Sequence, residues 1–294
     1  GLFSVFANAI IAKGGYVFGS EIKDGVVLHS FTNDYEYIGK YCGSKYIQSN
    51  NEFVFKDVRK LLETGAPVLY SGTPCQVAGL KNYLKIRYDN LFLCDFVCHG
   101  IGSTKVFTLY KNNVENIKQK IIAGVKFRDK SHGYIDSKMQ FKFQDGSVHE
   151  EGSYKNPFGY GFASDLITRN SCVSCDFAQI ERTSDMTLAD YSGGDMTDYE
   201  KNYGSSFVML NTARGKSIFE ECKEKLVFQE KNISYFVEHS YHLTKKSKQN
   251  QLREGFFRDL QIMSYVDLKE KYLIPRGLRR RVLLKIKNVF NRLN

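Results

Sequence analysis

The stretch Ala66-Pro67-Val68-Leu69-Tyr70-Ser71-Gly72-Thr73-Pro74-Cys75-Gln76 indicates the fold class of this chain. Its first five residues are predicted to form a short buried strand, and Gly72 permits a tight turn. Threonine is a favoured helix N-cap and proline is favoured at the first helical position, so a helix is predicted over Pro74–Leu84. A strand that passes through a tight turn into a helix is typical of α/β folds.

The residues before and after this stretch continue the alternation of strands and helices. Apolar spacing, glycine stops and turn residues indicate a helix over Leu2–Ala12, strands over Tyr16–Glu21 and Val26–Phe31 around Lys23-Asp24-Gly25, a helix over Phe53–Glu63, a strand over Leu91–Val97 and a helix from the cap Ser103 to about Gln119. We therefore expect a mixed α/β (α+β) fold whose central parallel or mixed sheet is flanked by helices.

The pattern changes after this alternating region. We expect strands over Ile122–Phe127 and Met139–Phe143, a helix over Phe158–Ile167, a Cys-rich loop region over Arg169–Tyr203 with a short strand at Met186–Ala189, a strand over Ser206–Asn211 and a helix over Lys216–Lys225. A helical C-terminal tail follows. The predicted division is a catalytic domain over residues 1–240 and a basic helical tail over residues 241–294.

Composition narrows the class of protein. The 294 residues are 42% hydrophobic and 25% charged, which is typical of a globular protein. No apolar run is long enough to span a membrane. Seven cysteines without a regular disulfide spacing favour reduced or metal-bound thiols in the cytoplasm.

The net charge of +10 is concentrated at the C-terminus. The segment Pro275–Asn294 contains seven basic residues and no acidic ones, which leaves +3 for the rest of the chain (10 − 7). This distribution gives no support for nucleic-acid binding by the main body. The tail spaces apolar residues along one helical face, as in a helix that contacts the inner membrane surface. Docking to a partner and packing on the body are the alternatives.

Four of the seven cysteines lie in turn-like contexts: Cys75, Cys98 and the pair Cys172 and Cys175. A 4Fe-4S cluster takes one thiolate per iron, so these four residues are candidate ligands. A structural zinc site usually has two C-x-x-C pairs, whereas this chain has one pair and two single cysteines. This arrangement favours iron–sulfur over zinc. A thioredoxin-type redox pair is disfavoured, because no strand runs directly into a helix at Cys172.

Two further segments have features of a binding or catalytic site. Backbone N–H groups at the predicted start of the Pro74 helix favour a thiolate at Cys75 or an anionic cofactor. The polar loop Gly43-Ser44-Lys45-Tyr46-Ile47-Gln48-Ser49 has groups that contact phosphates in other proteins. His99 follows Cys98 and is a candidate to tune the cluster or to relay a proton, although a structural role explains a lone histidine equally well.

The motifs taken together resemble the coenzyme F420 hydrogenase/dehydrogenase beta-subunit family. The resemblance covers about Gly1–Asp259 and depends on the order and spacing of Gly1-Leu-Phe-Ser, Gly14-Gly15, Gly43–Ser49, Ser71–Gln76, Cys98–Ser103, Phe127-Arg-Asp-Lys130, Cys172–Cys175, Arg182-Thr-Ser-Asp185, Gly204-Ser-Ser206 and Arg253–Phe257. The family includes 7-hydroxymethyl chlorophyll a reductase of plants and bacterial members in polysaccharide-type gene neighbourhoods.

The resemblance implies an iron–sulfur flavoprotein. It implies that Cys75, Cys98, Cys172 and Cys175 hold a 4Fe-4S cluster. It also implies that FAD, or FMN in its place, lies against two loops, with the predicted contacts Gly43, Ser44, Lys45, Gln48, Ser49, Gly72, Thr73 and Gln76. The flavin would convert between one-electron and two-electron steps.

The sequence departs from the family pattern in two places. The N-terminal ferredoxin-like module with its C-x-x-C-x-x-C-x-x-x-C-P runs is absent from this sequence. We therefore expect electrons from a separate ferredoxin-like donor, or from a module that this chain lacks. The family's Asp-Phe-Trp-Gly pattern is replaced by Asp190-Tyr-Ser-Gly193, which puts the shape of the pocket in question.

The expected function is electron transfer between a 4Fe-4S cluster, a flavin and a small-molecule or deazaflavin substrate, in a context that includes polysaccharide-related metabolism. His99 is the candidate catalytic residue. Two alternatives stay open: a non-enzymatic electron-transfer subunit that binds no flavin, and a zinc-stabilised scaffold protein.

Overall fold

The computed structural model describes residues 1–23, 25–191 and 196–274. Its strands are β1 (Tyr16–Lys23), β2 (Val26–Thr32), β3 (Val68–Ser71), β4 (Leu91–Phe96), β5 (Ile122–Asp129), β6 (Lys138–Phe143), β7 (Val148–Gly152), β8 (Met186–Asp190) and β9 (Ser206–Leu210). The predictions for Asp24, for Ser192 and Gly193, and for the basic tail Pro275–Asn294 lie outside the described residues.

The helices lie between and after these strands. They are α1 (Leu2–Ala12), α2 (Val54–Glu63), α3 (Pro74–Leu84), α4 (Thr104–Lys118), α5 (Pro157–Ala163), α6 (Asn170–Val173), α7 (Asp198–Tyr203), α8 (Ala213–Cys222), α9 (Ile233–His239), α10 (Tyr241–Thr244), α11 (Arg253–Asp259) and α12 (Tyr265–Tyr272). None of the helices over the described ranges is long and apolar enough to cross a membrane.

The main sheet has the strand order β2-β1-β3-β4-β8-β9. Its four inner strands run parallel, and the edge strands β2 and β9 pair antiparallel to their neighbours. This architecture confirms the predicted mixed sheet with flanking helices. In such sheets the ligand site lies outside the carboxyl ends of the parallel strands.

Helices cover both faces of this sheet. Val68, Leu69 and Tyr70 of β3 are all completely buried. Leu69 packs in the apolar cluster formed with α1 and α8, whereas Val68 and Tyr70 pack in the cluster formed with α2 and α3. Successive side chains of a strand point to opposite faces, so a continuous apolar run is what a strand buried on both sides requires.

A second core surrounds the antiparallel sheet β5-β6-β7. Phe127, Phe141 and Phe158 pack there with Phe256 and Leu268 from the C-terminal region. Residues on both sides of position 240 therefore share one apolar cluster. The division into residues 1–240 and 241–294 stays a prediction.

The prediction of a helix over Phe158–Ile167 was too long. Helix α5 ends at Ala163, because Asp165 adopts a left-handed backbone with φ of 58°. The backbone N–H of Leu166 then turns back to the carbonyl of Gly161 at 3.0 Å. The predicted loop region 169–203 also contains the short helices α6 and α7.

Two helical glycines give a matched test of this packing. A Cβ atom at Gly215 of α8 would lie 2.1 Å from the carbonyl oxygen of Asp185, whereas one at Gly79 of α3 would lie 3.6 Å from the Phe55 ring. We expect Gly215→Ala to lower the free energy of unfolding by about 1–3 kcal/mol, because the backbone must shift. We expect Gly79→Ala to leave it unchanged or raise it by up to about 1 kcal/mol. Urea unfolding followed by circular dichroism measures both, and equal effects would contradict the close approach of α8 to the start of β8.

Candidate functional site

Two cysteine-bearing turns lie side by side at the carboxyl edge of the main sheet. The turn after β3 leads to Cys75 in the first turn of α3, and the turn after β4 contains Cys98. The two strands are adjacent and parallel, and Gly72 donates its N–H to the carbonyl of Cys94 at 3.1 Å. Parallel pairing therefore brings together two thiols that are 23 positions apart in the sequence.

The C-x-x-C segment reaches the same edge from a distant part of the chain. Gly102, in the turn after Cys98, forms an antiparallel bridge with Thr168. The N–H of Arg169 donates to the carbonyl of Ile101 at 2.9 Å. These bonds anchor α6, which contains Cys172, beside the Cys98 turn.

The four candidate cysteines interact with one another. Burial raises the pKa of the Cys98 thiol to about 12, and the nearby Cys172, Cys75 and Cys175 add to this effect. Burial also raises the pKa of Cys172, with further contributions from Cys175 and Cys75. Such mutual effects require the four sulfur atoms to lie near one another, as a shared metal centre would need.

The other three cysteines lie outside this group. Cys94 and Cys222 are buried among the apolar residues packed with α1 and α8. Cys42 is exposed, and its sulfur lies 3.5 Å from the carbonyl oxygen of Ile38.

The ranges 1–23, 25–191 and 196–274 contain no group of three His, Cys, Asp or Glu side chains with the geometry to hold a single metal ion. The four thiols are thus neighbours that do not converge on one point.

The predicted cofactor loop Gly43–Ser49 lies against the Cys98 turn and against the segment that contains Cys172. Gly102 donates its N–H to the carbonyl of Tyr46 at 2.8 Å. The guanidinium of Arg169 donates to Oε1 of Gln48. The loop is thereby fixed to the segments that contain Cys98 and Cys172.

Lys45 holds this loop in shape. Its ammonium donates to the carbonyls of Lys40, Tyr41 and Cys42 at 2.9–3.0 Å. Burial lowers its pKa to about 8. Three carbonyl acceptors use all three ammonium protons, and direct contact between Lys45 and a cofactor remains a prediction.

A chain of hydrogen bonds joins the loop to the Cys75 turn. The amide of Gln76 donates from Nε2 to Ser49 Oγ at 2.9 Å, and its Oε1 accepts from Thr73 N at 2.9 Å and from Thr73 Oγ1 at 3.1 Å. Thr73 Oγ1 also lies 3.1 Å from Cys75 Sγ. Four predicted site residues are therefore members of one network.

The network ends on His29 of β2, a residue that the sequence motifs did not indicate. Its ring stacks on Tyr70, and burial lowers its pKa to about 4, so the ring is neutral near pH 7. Nε2 lies 2.9 Å from the carbonyl oxygen of Ser71, which can only accept. The proton is therefore on Nε2, and Nδ1 accepts from Ser49 Oγ at 2.7 Å.

A cavity of about 420 Å³ lies beside Gln48 and Ser49. Its wall also includes Asn51 and the α4 residues Thr104 and Thr108. Asn51 Oδ1 is buried and has no hydrogen-bond partner within the described residues. The volume of this open cavity lies within the range of small-molecule sites, and its wall contains both apolar and polar side chains.

His99 lies on the opposite side of the Cys98 turn, among groups from the C-terminal region. Its Nε2 is 2.8 Å from Asp165 Oδ1, and its ring stacks on His242 with centroids 4.1 Å apart. Burial would raise the pKa of Asp165, but hydrogen bonds from His99 and from the N–H of Lys248 lower it overall. These contacts fix the orientation of the His99 ring.

Three arginines surround the C-x-x-C segment. Arg169 precedes it, and both Arg169 and Arg253 interact electrostatically with Cys172. The side chain of Arg182 is only 2% exposed, and its Nη1 donates to the carbonyl of Phe177 at 2.9 Å. The group of cysteines thus lies next to concentrated positive charge.

Arg182 forms a loose buried pair with Asp95 of β4. The shortest distance, from Nη1 to Oδ2, is 4.0 Å, and Nε and Nη2 of Arg182 have no partner within the described residues. Burial raises the pKa of Asp95 to about 6, although Arg182 acts in the opposite direction. The buried guanidinium therefore retains capacity to stabilise further negative charge.

Comparison with known proteins identifies the family of this chain. Residues 66–235 match the family model for the C-terminal region of the coenzyme F420 hydrogenase/dehydrogenase beta subunit. The chain belongs to this family. The matched range includes all four candidate cysteines, Thr73, Gln76 and His99, and it ends before α10 to α12. The predicted family resemblance is confirmed.

A solved structure has the same fold as this family member. It is the F420-reducing NiFe hydrogenase complex from Methanosarcina barkeri, in a xenon-derivatised form. The match has a TM-score of 0.52 and 14% sequence identity, and it covers 84% of this chain and 82% of the other. At this identity the likeness concerns the fold alone. No curated protein sequence matches the chain.

The buried pair gives a test of the electrostatics at this site. We expect Arg182→Met to lower the free energy of unfolding by about 3–5 kcal/mol at pH 7, because Asp95 must then stay charged without a cation or take up a proton. Loss of Arg182 also removes the interaction that lowers the pKa of Asp95, so this pKa rises further in the variant. The folded-state pKa of Asp95 lies above its unfolded value of 3.8, so the folded state binds more protons between these values and gains stability as the pH falls. The deficit of Arg182→Met should therefore shrink at pH 5.

Denaturant unfolding at both pH values measures this change. Lys201→Met is the control, because it removes an ion pair with the exposed Asp198 and should cost less than about 1 kcal/mol at either pH. A deficit of Arg182→Met that is small, or equal at pH 5 and pH 7, would contradict a charged Asp95 held by Arg182.

Proposed function

We propose that this chain is an iron–sulfur flavoprotein oxidoreductase. In this proposal Cys75, Cys98, Cys172 and Cys175 hold a 4Fe-4S cluster, and a flavin lies against the Gly43–Ser49 and Ser71–Gln76 segments. The reaction passes electrons between a ferredoxin-like donor or another protein of a redox complex and a small-molecule or deazaflavin substrate. Membership of a family of redox proteins supports this class of reaction.

The proximity of the four thiols carries the proposal. Burial and the neighbouring cysteines raise the pKa values of Cys98 and Cys172, so a metal centre is needed to stabilise these two residues as thiolates. A cluster with one thiolate per iron spreads its ligands around a larger group than a single ion does. Four neighbouring thiols without single-ion geometry in the described ranges fit that requirement better than they fit zinc.

The arginines support an anionic group at the same place. A 4Fe-4S cluster with four thiolates has a net negative charge, and burying such a charge is costly unless cations lie close by. Arg169 and Arg253 interact with Cys172, and Arg182 lies behind the C-x-x-C segment with donors that no described residue accepts.

The cavity next to Gln48 and Ser49 supports a flavin beside the cluster. Ser49 lies in the cavity wall and is held there by hydrogen bonds with His29 and Gln76, and Thr104 and Thr108 of α4 line the same space. FAD is the expected flavin and FMN the alternative. A bound flavin supplies the exchange between one-electron and two-electron transfer.

His99 has the geometry of an oriented proton carrier. Asp165 binds one ring nitrogen and His242 and Phe162 stack on the ring, so the orientation of its other nitrogen is fixed. We propose that His99 tunes the cluster side of the site or relays a proton there.

The ligand set is tested by serine substitution. We expect Cys172→Ser to lose the cluster, because an alcohol is a poor ligand for iron in place of a thiolate. Cys222→Ser is the matched control, since Cys222 is buried in the apolar cluster formed with α1 and α8 and the variant should keep a full cluster. Iron, acid-labile sulfide and the visible spectrum of anaerobically purified protein are the measurements. A full cluster in Cys172→Ser, or loss of it in both variants, would contradict the assignment.

The flavin site is tested by Ser49→Ala. This change leaves His29 Nδ1 and Gln76 Nε2 without their shared partner, so the cavity wall loses its fixed arrangement and flavin occupancy should fall at least tenfold. Ser30→Ala is the control, because Ser30 is on the same strand as His29 but bonds to Glu21 instead. The ratio of released flavin to protein is measured, with iron content as an internal reference. Equal flavin in both variants would argue against this wall as the flavin site.

A further inference from the structure

We propose that the hydroxyl group of Thr73 couples the flavin side of the site to the iron–sulfur cluster by changing the acceptor of its one proton. This inference rests on the proposed function, since it requires Cys75 to be a cluster ligand. Thr73 is the N-cap of α3 and only 7% exposed, and it lies between Cys75 and Gln76 in the hydrogen-bond network.

Counting protons fixes the direction of the hydrogen bonds from His29 to Gln76. His29 donates from Nε2 to the Ser71 carbonyl, so Ser49 must donate to His29 Nδ1. Ser49 Oγ then accepts from Gln76 Nε2. With its NH2 group used in this way, Gln76 presents Oε1 toward Thr73.

Thr73 has two acceptors for a single hydroxyl proton. Gln76 Oε1 and Cys75 Sγ are both 3.1 Å from Thr73 Oγ1. When Cys75 is a thiol, its S–H can donate to Thr73, and Thr73 can donate to Gln76. Each donor then has an acceptor, and all these hydrogen bonds point the same way, from Cys75 toward His29.

Binding of Cys75 to iron removes this arrangement. If Cys75 held iron, its thiol proton would pass to solvent and the sulfur would be an anionic acceptor. Hydrogen bonds to charged groups are roughly twice as strong as neutral ones, so the Thr73 hydroxyl turns to Sγ. Gln76 Oε1 keeps the backbone N–H of Thr73, which lies 2.9 Å away, so Gln76 is not left without a partner.

The consequence is an effect on the reduction potential of the cluster. Reduction adds negative charge to the cluster and its sulfurs, and a hydrogen bond to a ligand sulfur stabilises that charge. The Thr73 hydroxyl therefore raises the potential. In this role Thr73 tunes the potential of the cluster without binding iron itself. Its hydroxyl group contacts the ligand Cys75 and also Gln76, whose hydrogen bonds lead to the cavity.

The test compares Thr73→Val with Thr73→Ser in the full chain with its cluster. Valine removes the hydroxyl, and the midpoint potential should fall by about 59 mV, which is a tenfold change in the equilibrium constant of a one-electron couple. Serine keeps the hydroxyl and should restore the wild-type potential. Anaerobic redox titration followed by electron paramagnetic resonance reports the cluster separately from any flavin.

Two further variants separate this role from a general effect on folding. Ser103→Ala removes the N-cap of α4 beside the Cys98 turn, and it should leave the potential unchanged, because Ser103 Oγ bonds to Val106 N. Gln76→Met removes the competing acceptor, so the potential should stay level or rise. Thr73→Ala, which also lacks the hydroxyl group, provides the same test if Thr73→Val does not fold.

Each outcome decides the inference. A fall in Thr73→Val with rescue by Thr73→Ser supports it. An unchanged potential in Thr73→Val, or a fall in Gln76→Met of the same size, overturns it while leaving the cluster assignment intact. A wild-type protein without iron and sulfide, even after anaerobic reconstitution, would overturn the proposed function and this inference together.

Discussion

The parallel pairing of β3 with β4 is the constraint on which the whole site depends. It places the turn that leads to Cys75 next to the turn that contains Cys98, and the bridge between Gly102 and Thr168 adds the C-x-x-C segment. No local motif in the sequence contains all four thiols. The sheet assembles them, and the apolar run Val68–Tyr70 stabilises the sheet by packing on both faces.

The site combines two environments that differ in polarity. On one side, four neighbouring thiols and three arginines form a region that favours concentrated negative charge. On the other side, Ser49 borders a cavity and forms hydrogen bonds with the neutral side chains of Gln76 and His29. Thr73 joins the two, since it touches both Cys75 and Gln76. A protein that exchanges electrons between a cluster and an organic cofactor needs these environments in contact.

The sequence predicted the bounds of those helices whose ends are determined by local residue preferences. Capping and proline placed α3 over Pro74–Leu84, and glycine stops placed α1 over Leu2–Ala12, as found in the structure. The sequence did not predict contacts between residues that are far apart in the chain. His29 meets Ser49 only because β2 packs beside the loop, and the burial of Arg182 against Asp95 depends on the path of the chain across α3. The early end of α5 depends on the left-handed conformation of Asp165, a backbone choice that its residue type permits without requiring it.

The central claim is that four cysteines of this family member hold a 4Fe-4S cluster beside a flavin. The most direct test is quantification of iron, acid-labile sulfide, zinc and flavin, with an absorption spectrum, on one sample of anaerobically purified wild-type chain. The account predicts about four iron and four sulfide per chain with a broad visible shoulder and flavin bands. One zinc per chain, with neither iron nor sulfide and no cluster after reconstitution, would contradict it.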